Sequence, residues 1–244
     1  MTNRSNAWTH RISYELKDAS SAYFVTLTYE NPPRSYNDLA TLRKGDLQGY
    51  FKRLRKHEKN NTYIKYYAAG EYESEFHRPH YHAIILNVND ERNLFRAWTI
   101  NDKVIGIVDV GEVTPASIAY VTGYIGKKIG IPWTDYDDRL PEFSLMSKKM
   151  GLNYLSYAKN FHLSTQSGFT RIGKTLIPLP RYLKEKIFDK NTLKLISYEN
   201  YIRFLETKTA ADEARLTPIA LAKHRAEAYE HYATDSSFVN SNLS

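Results

Sequence analysis

The chain has 244 residues, 42% of them hydrophobic, with 34 Lys and Arg against 27 Asp and Glu and a formal net charge of +7. That length suffices for a buried core plus an appendage; no run approaches the roughly 20 apolar residues of a membrane span, and the lack of cysteine excludes disulfides and thiolate metal sites. The positive charge points to a polyanionic partner, and an N-terminus without the apolar stretch of a secretory signal points to the cytosol.

A first strand is predicted over Ala22–Tyr29, rich in β-branched and aromatic residues. Asn31-Pro32-Pro33 ends it. A helix is expected from Asp38 to about Lys59, with Leu39, Leu42, Leu47, Tyr50, Phe51 and Leu54 on or near one face. Between Arg43 and Lys59 it carries seven Lys or Arg and two acids. Lys52, Arg53 and Lys56 are therefore candidate contacts to a nucleic-acid backbone. Strands follow at Thr62–Tyr72 and His80–Val88, joined by a polar turn. Asp90 is a plausible cap for a short helix through Trp98. Val104–Val110 reads as a fourth strand. Thr114-Pro115 opens the next helix, with Thr as cap and Pro in the first helical position, running to about Lys128.

The order β-α-β-β-α-β predicts an α+β fold: an antiparallel sheet of about five strands flanked by helices, ferredoxin-like in its split βαβ plan. The domain is expected to cover residues 1–165. A partly helical extension over 166–244 is open to three roles: completing the fold, meeting DNA, or recruiting a host helicase or polymerase. Within it, Thr217-Pro218 opens a helix to about Ala233.

The stretch Gly70–Leu86, GEYESEFHRPHYHAIIL, carries the most chemistry. His80 and His82 alternate in a strand, so their side chains share a face. Glu71 ends the preceding strand, and the hairpin between them would bring its carboxylate alongside. Two imidazoles and one acid make a three-ligand site with open positions, suited to a divalent ion that must also hold a substrate oxygen. Mg²⁺ or Mn²⁺ is expected for a phosphate substrate, and ligand identity leaves Zn²⁺ open. Glu73 is the reserve ligand, His77 a loop residue, and Arg78 a candidate backbone contact beside the site.

The second constellation is Tyr120-Val-Thr-Gly-Tyr124-Ile-Gly-Lys127-Lys128. On a helix, positions 120, 124 and 127 share one stripe. Ile118, Val121 and Ile125 occupy the neighbouring one, so the helix could dock with its phenols facing the ion. A phenol with pKa near 10 is about one part in a thousand ionised at pH 7, a handicap of about 4 kcal/mol. Lys127, one turn from Tyr124, would reduce it, and Lys128 is a further candidate contact to DNA. Tyrosine attack on a phosphodiester conserves the bond as a phosphotyrosine, and rejoining then needs no nucleotide cofactor.

These motifs resemble the HUH endonuclease superfamily, whose marks are a His-hydrophobic-His strand, here His80-Tyr81-His82, and a later Tyr-x-x-Lys helix, here Tyr124-Ile-Gly-Lys127. FVTLTYE (Phe24–Glu30) looks like its first strand motif. PEFSLMSKKMGLNYL (Pro141–Leu155) and PLPRYLKEKI (Pro178–Ile187) are similar to replication initiators of microviruses, the single-stranded DNA phages of gokushovirus type. The resemblance spans Phe24 to Ile187. It implies rolling-circle initiation in the cytoplasm of a bacterial host. Tyr120 and Tyr124 would be paired nucleophiles, His80, His82 and Glu71 would hold the ion, and single-stranded DNA at an origin would be the substrate. One departure is Gly123, where a doubled Tyr-x-x-Lys would have Lys.

Two rival readings stand beside this one. A non-catalytic single-strand-binding module of ferredoxin-like fold would use sheet aromatics. A zinc hydrolase would use the same triad without a covalent adduct. The run GFTRIGKT (Gly168–Thr175) fits the phosphate-loop pattern, but that motif needs a helix opening at Lys174-Thr175. Pro178 and Pro180 oppose one, so the run is expected to be a turn between extended segments.

Overall fold

The structure is a computed structural model that describes residues 3–58, 63–123 and 131–198. The chain divides into two compact units, Met1–Phe188 and Asp189–Ser244. Of the second, a helix over 190–198 is described. Tyr124, Lys127, Lys128 and the helix expected at Thr217 lie outside the described residues.

The first unit is built on a five-stranded antiparallel sheet. Its strands are β1 (Ala22–Thr28), β2 (Lys65–Tyr72), β3 (Pro79–Leu86), β6 (Val108–Gly111) and β7 (Phe143–Met146), in the order β6-β1-β3-β2-β7. The first four reproduce the split βαβ arrangement that the sequence pattern predicts, and β7 adds the fifth strand at the β2 edge. Strand period 2 sends alternate residues to opposite faces. One face, with Val25, Leu27, Ala68, Tyr81, Ala83 and Ile85, packs under α2 (Lys44–His57) through Leu47, Tyr50, Phe51 and Leu54. The other, with Tyr67, Ala69, Ile84 and Leu86, packs under α1 (Asn3–Lys17) and α4 (Pro115–Gly123) through Ile12, Ile118 and Val121.

Several elements depart from the sequence expectation. The helix predicted from Asp38 starts at Lys44. Residues 33–41 form a separate turn in which Ser35 N donates to Leu39 O at 2.8 Å and Thr41 N to Pro33 O at 2.8 Å. Asp38 there takes a φ of 58°. The predicted fourth strand is broken into β5 (Lys103–Val104), which pairs in a small hairpin with β4 (Thr99–Ile100), and β6. The break is at Gly106, where a Cβ would lie 2.1 Å from the Thr28 carbonyl oxygen. The chain passes flush against β1, with Thr28 N donating to Ile107 O and Glu30 N to Ile105 O, each at 3.0 Å.

Helix α1 has no counterpart in the expected order. Its apolar stripe is narrow, and its remaining inward positions are polar. Ser5 and Thr9 meet Thr122 of α4 at 3.2 and 3.0 Å, while Glu15 pairs with Lys65 and accepts from Gly151 N at 2.6 Å. The predicted cap of α4 is present: Ser117 N donates to Thr114 Oγ1 at 3.1 Å, and Thr114 N donates back to Ser117 Oγ at 2.8 Å. Such reciprocal capping satisfies donors left open at a helix start. Short α3 (Arg92–Arg96) follows β3 much as expected.

Beyond β7 come α5 (Tyr154–Thr165), a hairpin of β8 (Phe169–Ile172) and β9 (Thr175–Pro178), and α6 (Arg181–Ile187). Both α5 and the hairpin pack against α1. The phosphate-loop look-alike is this hairpin, with Gly173 at a φ of 56° opening its two-residue turn. That is where a tight primed turn needs glycine. No helix opens at Lys174-Thr175. Among the described residues, no helix is long and apolar enough to cross a membrane.

Candidate active site

Strand pairing assembles the site. In the β2–β3 ladder Glu71 stands opposite His80, and in the β1–β3 ladder Thr26 stands opposite His82. Residues directly opposite share a face, so all four side chains meet on the α1/α4 side of the sheet. Glu71 is 1% exposed, and its Oε1 lies 3.1 Å from His80 Nε2 and 2.8 Å from His82 Nε2. Among the described residues these three form the group able to hold a metal ion, their ligand atoms all within 4.8 Å of one another.

The donor set fits a divalent cation. Ligand atoms about 2.1 Å from an ion, at right angles to one another, lie roughly 3 Å apart, which matches both imidazole–carboxylate separations. His80 Nδ1 donates to the Arg78 carbonyl at 3.1 Å, leaving its Nε2 lone pair directed at the carboxylate. His82 Nδ1 lies 3.0 Å from Thr26 Oγ1, which can hold that ring in the same tautomer. Phe24 stacks on His82 with centroids 5.4 Å apart. Such outer contacts fix ring orientation and tautomer at metal-binding histidines.

Burial works to lower the His80 pKa. The hydrogen bonds with Glu71 and the Arg78 carbonyl, and the negative charges of Glu71 and Glu73, outweigh it and raise the pKa above its usual value. A proton or a cation between these electron-rich atoms is what the pocket stabilises.

Tyr120 of α4 reaches into this group. Its hydroxyl donates to Glu71 Oε1 at 3.4 Å and lies 3.5 Å from His82 Nε2, with the two rings edge to face. The phenol is 45% exposed, so the site opens to solvent on its side. The sequence-predicted residues Glu71, His80, His82 and Tyr120 are thus brought together.

Other predicted residues are not brought there. Glu73 and His77 lie in the β2–β3 turn, where Glu73 N donates to Arg78 O at 3.1 Å, and the His77 ring packs edge-on against Trp133. Arg78 is exposed next to the site, its guanidinium over Phe76. Lys52, Arg53 and Lys56 belong to α2, on the opposite face of the sheet, where Arg53 Nε donates to Ala97 O at 2.8 Å. Thr26 is the residue that sequence reasoning passed over. The threonines of FVTLTYE were a visible signal, but their role depends on which strand pairs with which.

The profile of a replication-associated protein family, that of ORF2, matches residues 22–129, which include the site. The chain is 28% identical over 225 residues to replication-associated protein ORF2 of Spiroplasma virus 4, covering 84% of this chain and 69% of that protein. It is 24% identical over 212 residues to replication-associated protein VP4 of Bdellovibrio phage phiMH2K, covering 79% and 66%. No solved structure matches.

Proposed function

We propose, taking its similarity to viral replication-associated proteins as the premise, that this protein is an HUH-type rolling-circle initiation endonuclease of a microvirus. It would act on single-stranded origin DNA in the host cytoplasm. The observation that carries the reading is the approach of the Tyr120 hydroxyl to 3.4 Å from Glu71 Oε1, the atom that also faces both imidazoles. A nucleophile and a cation-binding group at that spacing can engage one phosphate together.

Glu71, His80 and His82 would hold Mg²⁺ or Mn²⁺. Such an ion would draw electron density from the scissile phosphate and stabilise its developing charge. The phenol oxygen attacks phosphorus, the bond to the 3′ oxygen breaks, and the phenolic proton leaves as the 3′ hydroxyl gains one. The 5′ end is kept as a phosphotyrosine, and the free 3′ hydroxyl primes synthesis. Attack by a later 3′ hydroxyl reverses the exchange and closes a circle.

Tyr124 and Lys127 follow Tyr120 by four and seven residues, the spacing of one helical stripe. They are assigned here as the second nucleophile and the cation beside it. Arg78 and Lys128 are assigned backbone contacts. Residues 1–165 carry the reaction, and the extension over 166–244 meets DNA or a host helicase or polymerase.

The test is incubation with a single-stranded origin oligonucleotide and Mn²⁺. A protein–DNA adduct that survives denaturing electrophoresis is expected. It should be lost in Tyr120→Phe/Tyr124→Phe while DNA binding is kept. A reversible shift without adduct would leave a binding module, and hydrolysis products without adduct a metallohydrolase. Mass spectrometry of the adduct would identify the attacking tyrosine.

A further inference from the structure

We infer that the DNA backbone runs over the side of the first unit built by α1, α5, the β8–β9 hairpin and α6, rather than over the basic helix α2. The inference rests on the reading above for the identity of the polyanion.

Charge is the first observation. Residues 143–188 carry eight Lys or Arg and a single acid, Glu185. Their net +7 equals the formal charge of the whole chain. Glu185 is itself matched by Arg181, with Nε 2.6 Å from its carboxylate. Lys148, Lys149, Arg171 and Lys174 are all exposed. In the sequence this segment looks diffuse, because its cations are spread over a turn, a helix and a hairpin. The fold gathers them around α1: α5, β8 and β9 pack against it, and Arg11 Nε of α1 donates to Met150 O at 2.9 Å beside Lys149.

Placement is the second observation. Helices α1 and α4 cover the sheet face that bears Glu71, His80 and His82, whereas α2 covers the other face. A strand held along α2 would have to pass around the sheet to present a phosphate to Tyr120. A strand held along α1 already lies on the correct side.

A groove joins this surface to the site. It has a volume of about 550 Å³ and is lined by Asn6 and Thr9 of α1, Thr114 and Ala119 of α4, and Ile172 and Thr175 of the hairpin. Hydroxyls alternate with apolar side chains along it. Lys174 and Arg171 stand on its hairpin lip, the Arg171 guanidinium donating to Lys174 O at 3.0 Å. The residue after Ala119 is Tyr120, so one helix borders both groove and site. On α5, Tyr157 and Phe161 are 53% and 57% exposed, one turn apart, as rings that stack on unpaired bases are. The hairpin that mimics a phosphate loop thus becomes the lip of a strand-binding groove.

The experiment measures affinity of the full-length protein for a labelled single-stranded oligonucleotide in EDTA, as a function of salt. Changing Lys148, Lys149, Arg171 and Lys174 together to Gln is expected to weaken binding. The slope of log K against log salt should fall by roughly 0.7 for each phosphate that is no longer neutralised. Changing Lys52, Arg53 and Lys56 to Gln should leave the slope unchanged. Lysine-reactive labelling of wild-type protein followed by mass spectrometry gives a second readout that needs no variant. Oligonucleotide should protect Lys148, Lys149 and Lys174 and leave Lys52 and Lys56 reactive. Protection or slope carried by α2, or an oligonucleotide that does not bind, overturns the inference. A missing covalent adduct with intact, α1-side binding would instead overturn the nuclease reading and leave this surface standing.

Discussion

Thr26 Oγ1 lies 3.0 Å from Nδ1 of His82, directly across the β1–β3 ladder. An imidazole can bind a cation through Nε2 only if its proton sits on Nδ1, and a hydroxyl that accepts that proton's hydrogen bond selects the required tautomer. His80 obtains the same service from the Arg78 carbonyl. Thr26→Val keeps the shape and removes the acceptor, so it is expected to weaken Mn²⁺ binding about 10–100-fold. Thr26→Ser should retain it. Calorimetric titration checks the affinities, and imidazole ¹⁵N shifts in metal-free protein should show His82 leaving the Nδ1–H form only in the valine variant. Equal affinities would mean that Thr26 merely fills space.

Metal should also stabilise the fold. A ligand at 100 times its dissociation constant adds about 2.7 kcal/mol to a folded state that alone binds it. In a domain of this size that is a rise in Tm of roughly 5–10 °C. Glu71→Gln removes the charge that His80 and His82 face, and should abolish most of the rise on moving from EDTA to Mn²⁺. Calorimetric melts of both proteins in both buffers make the comparison. A full-sized rise in the variant would move the cation elsewhere.

Gly106→Ala is expected to be costly although the residue is far from the chemistry. Its Cβ would stand 2.1 Å from Thr28 O and 2.7 Å from Glu30 N, both backbone atoms that cannot turn aside. Overpacking of this kind costs about 3 kcal/mol or more when backbone must shift. Urea denaturation should show a lower midpoint, and Gly111→Ala, where nothing lies within 4 Å of the new Cβ, serves as control.

Acid should destabilise the protein through a buried histidine. His10 is 1% exposed, with Nε2 3.1 Å from Thr170 Oγ1. Burial first, then the charges of His162 and Lys17, lower its pKa from 6.5 to about 4. Between those values the unfolded chain binds a proton that the folded chain refuses, so stability rises with pH there. His10's contribution is complete above about pH 6.5 and is lost as pH falls toward 4, about 3 kcal/mol in all. His162, which is also lowered by burial and lies 2.5 Å from Tyr154 Oη, acts in the same direction. Urea midpoints at pH 7.5 and 4.5 should converge in His10→Gln relative to wild type. An undiminished pH dependence would assign the acid sensitivity to other groups.

Local periodicity made much of this molecule legible before any coordinates. Alternation along His80-Tyr81-His82 dictates that both imidazoles share a face, whatever surrounds them. The run AYFVTLT reads as a strand, and Thr114-Pro115 starts a helix, because those preferences lie within a few residues. What only tertiary structure decided is nonlocal. Glu71 meets His80, and Thr26 meets His82, because of ladder register, and a shift of one residue would turn every side chain to the other face. Helix α1 escaped notice because much of its inner surface is hydrogen-bonded rather than apolar, and such partners, Thr122, Lys65 and Gly151, are set by the fold. The side of the sheet on which each basic segment lies is likewise absent from a charge count, since charge adds along a chain but acts through space.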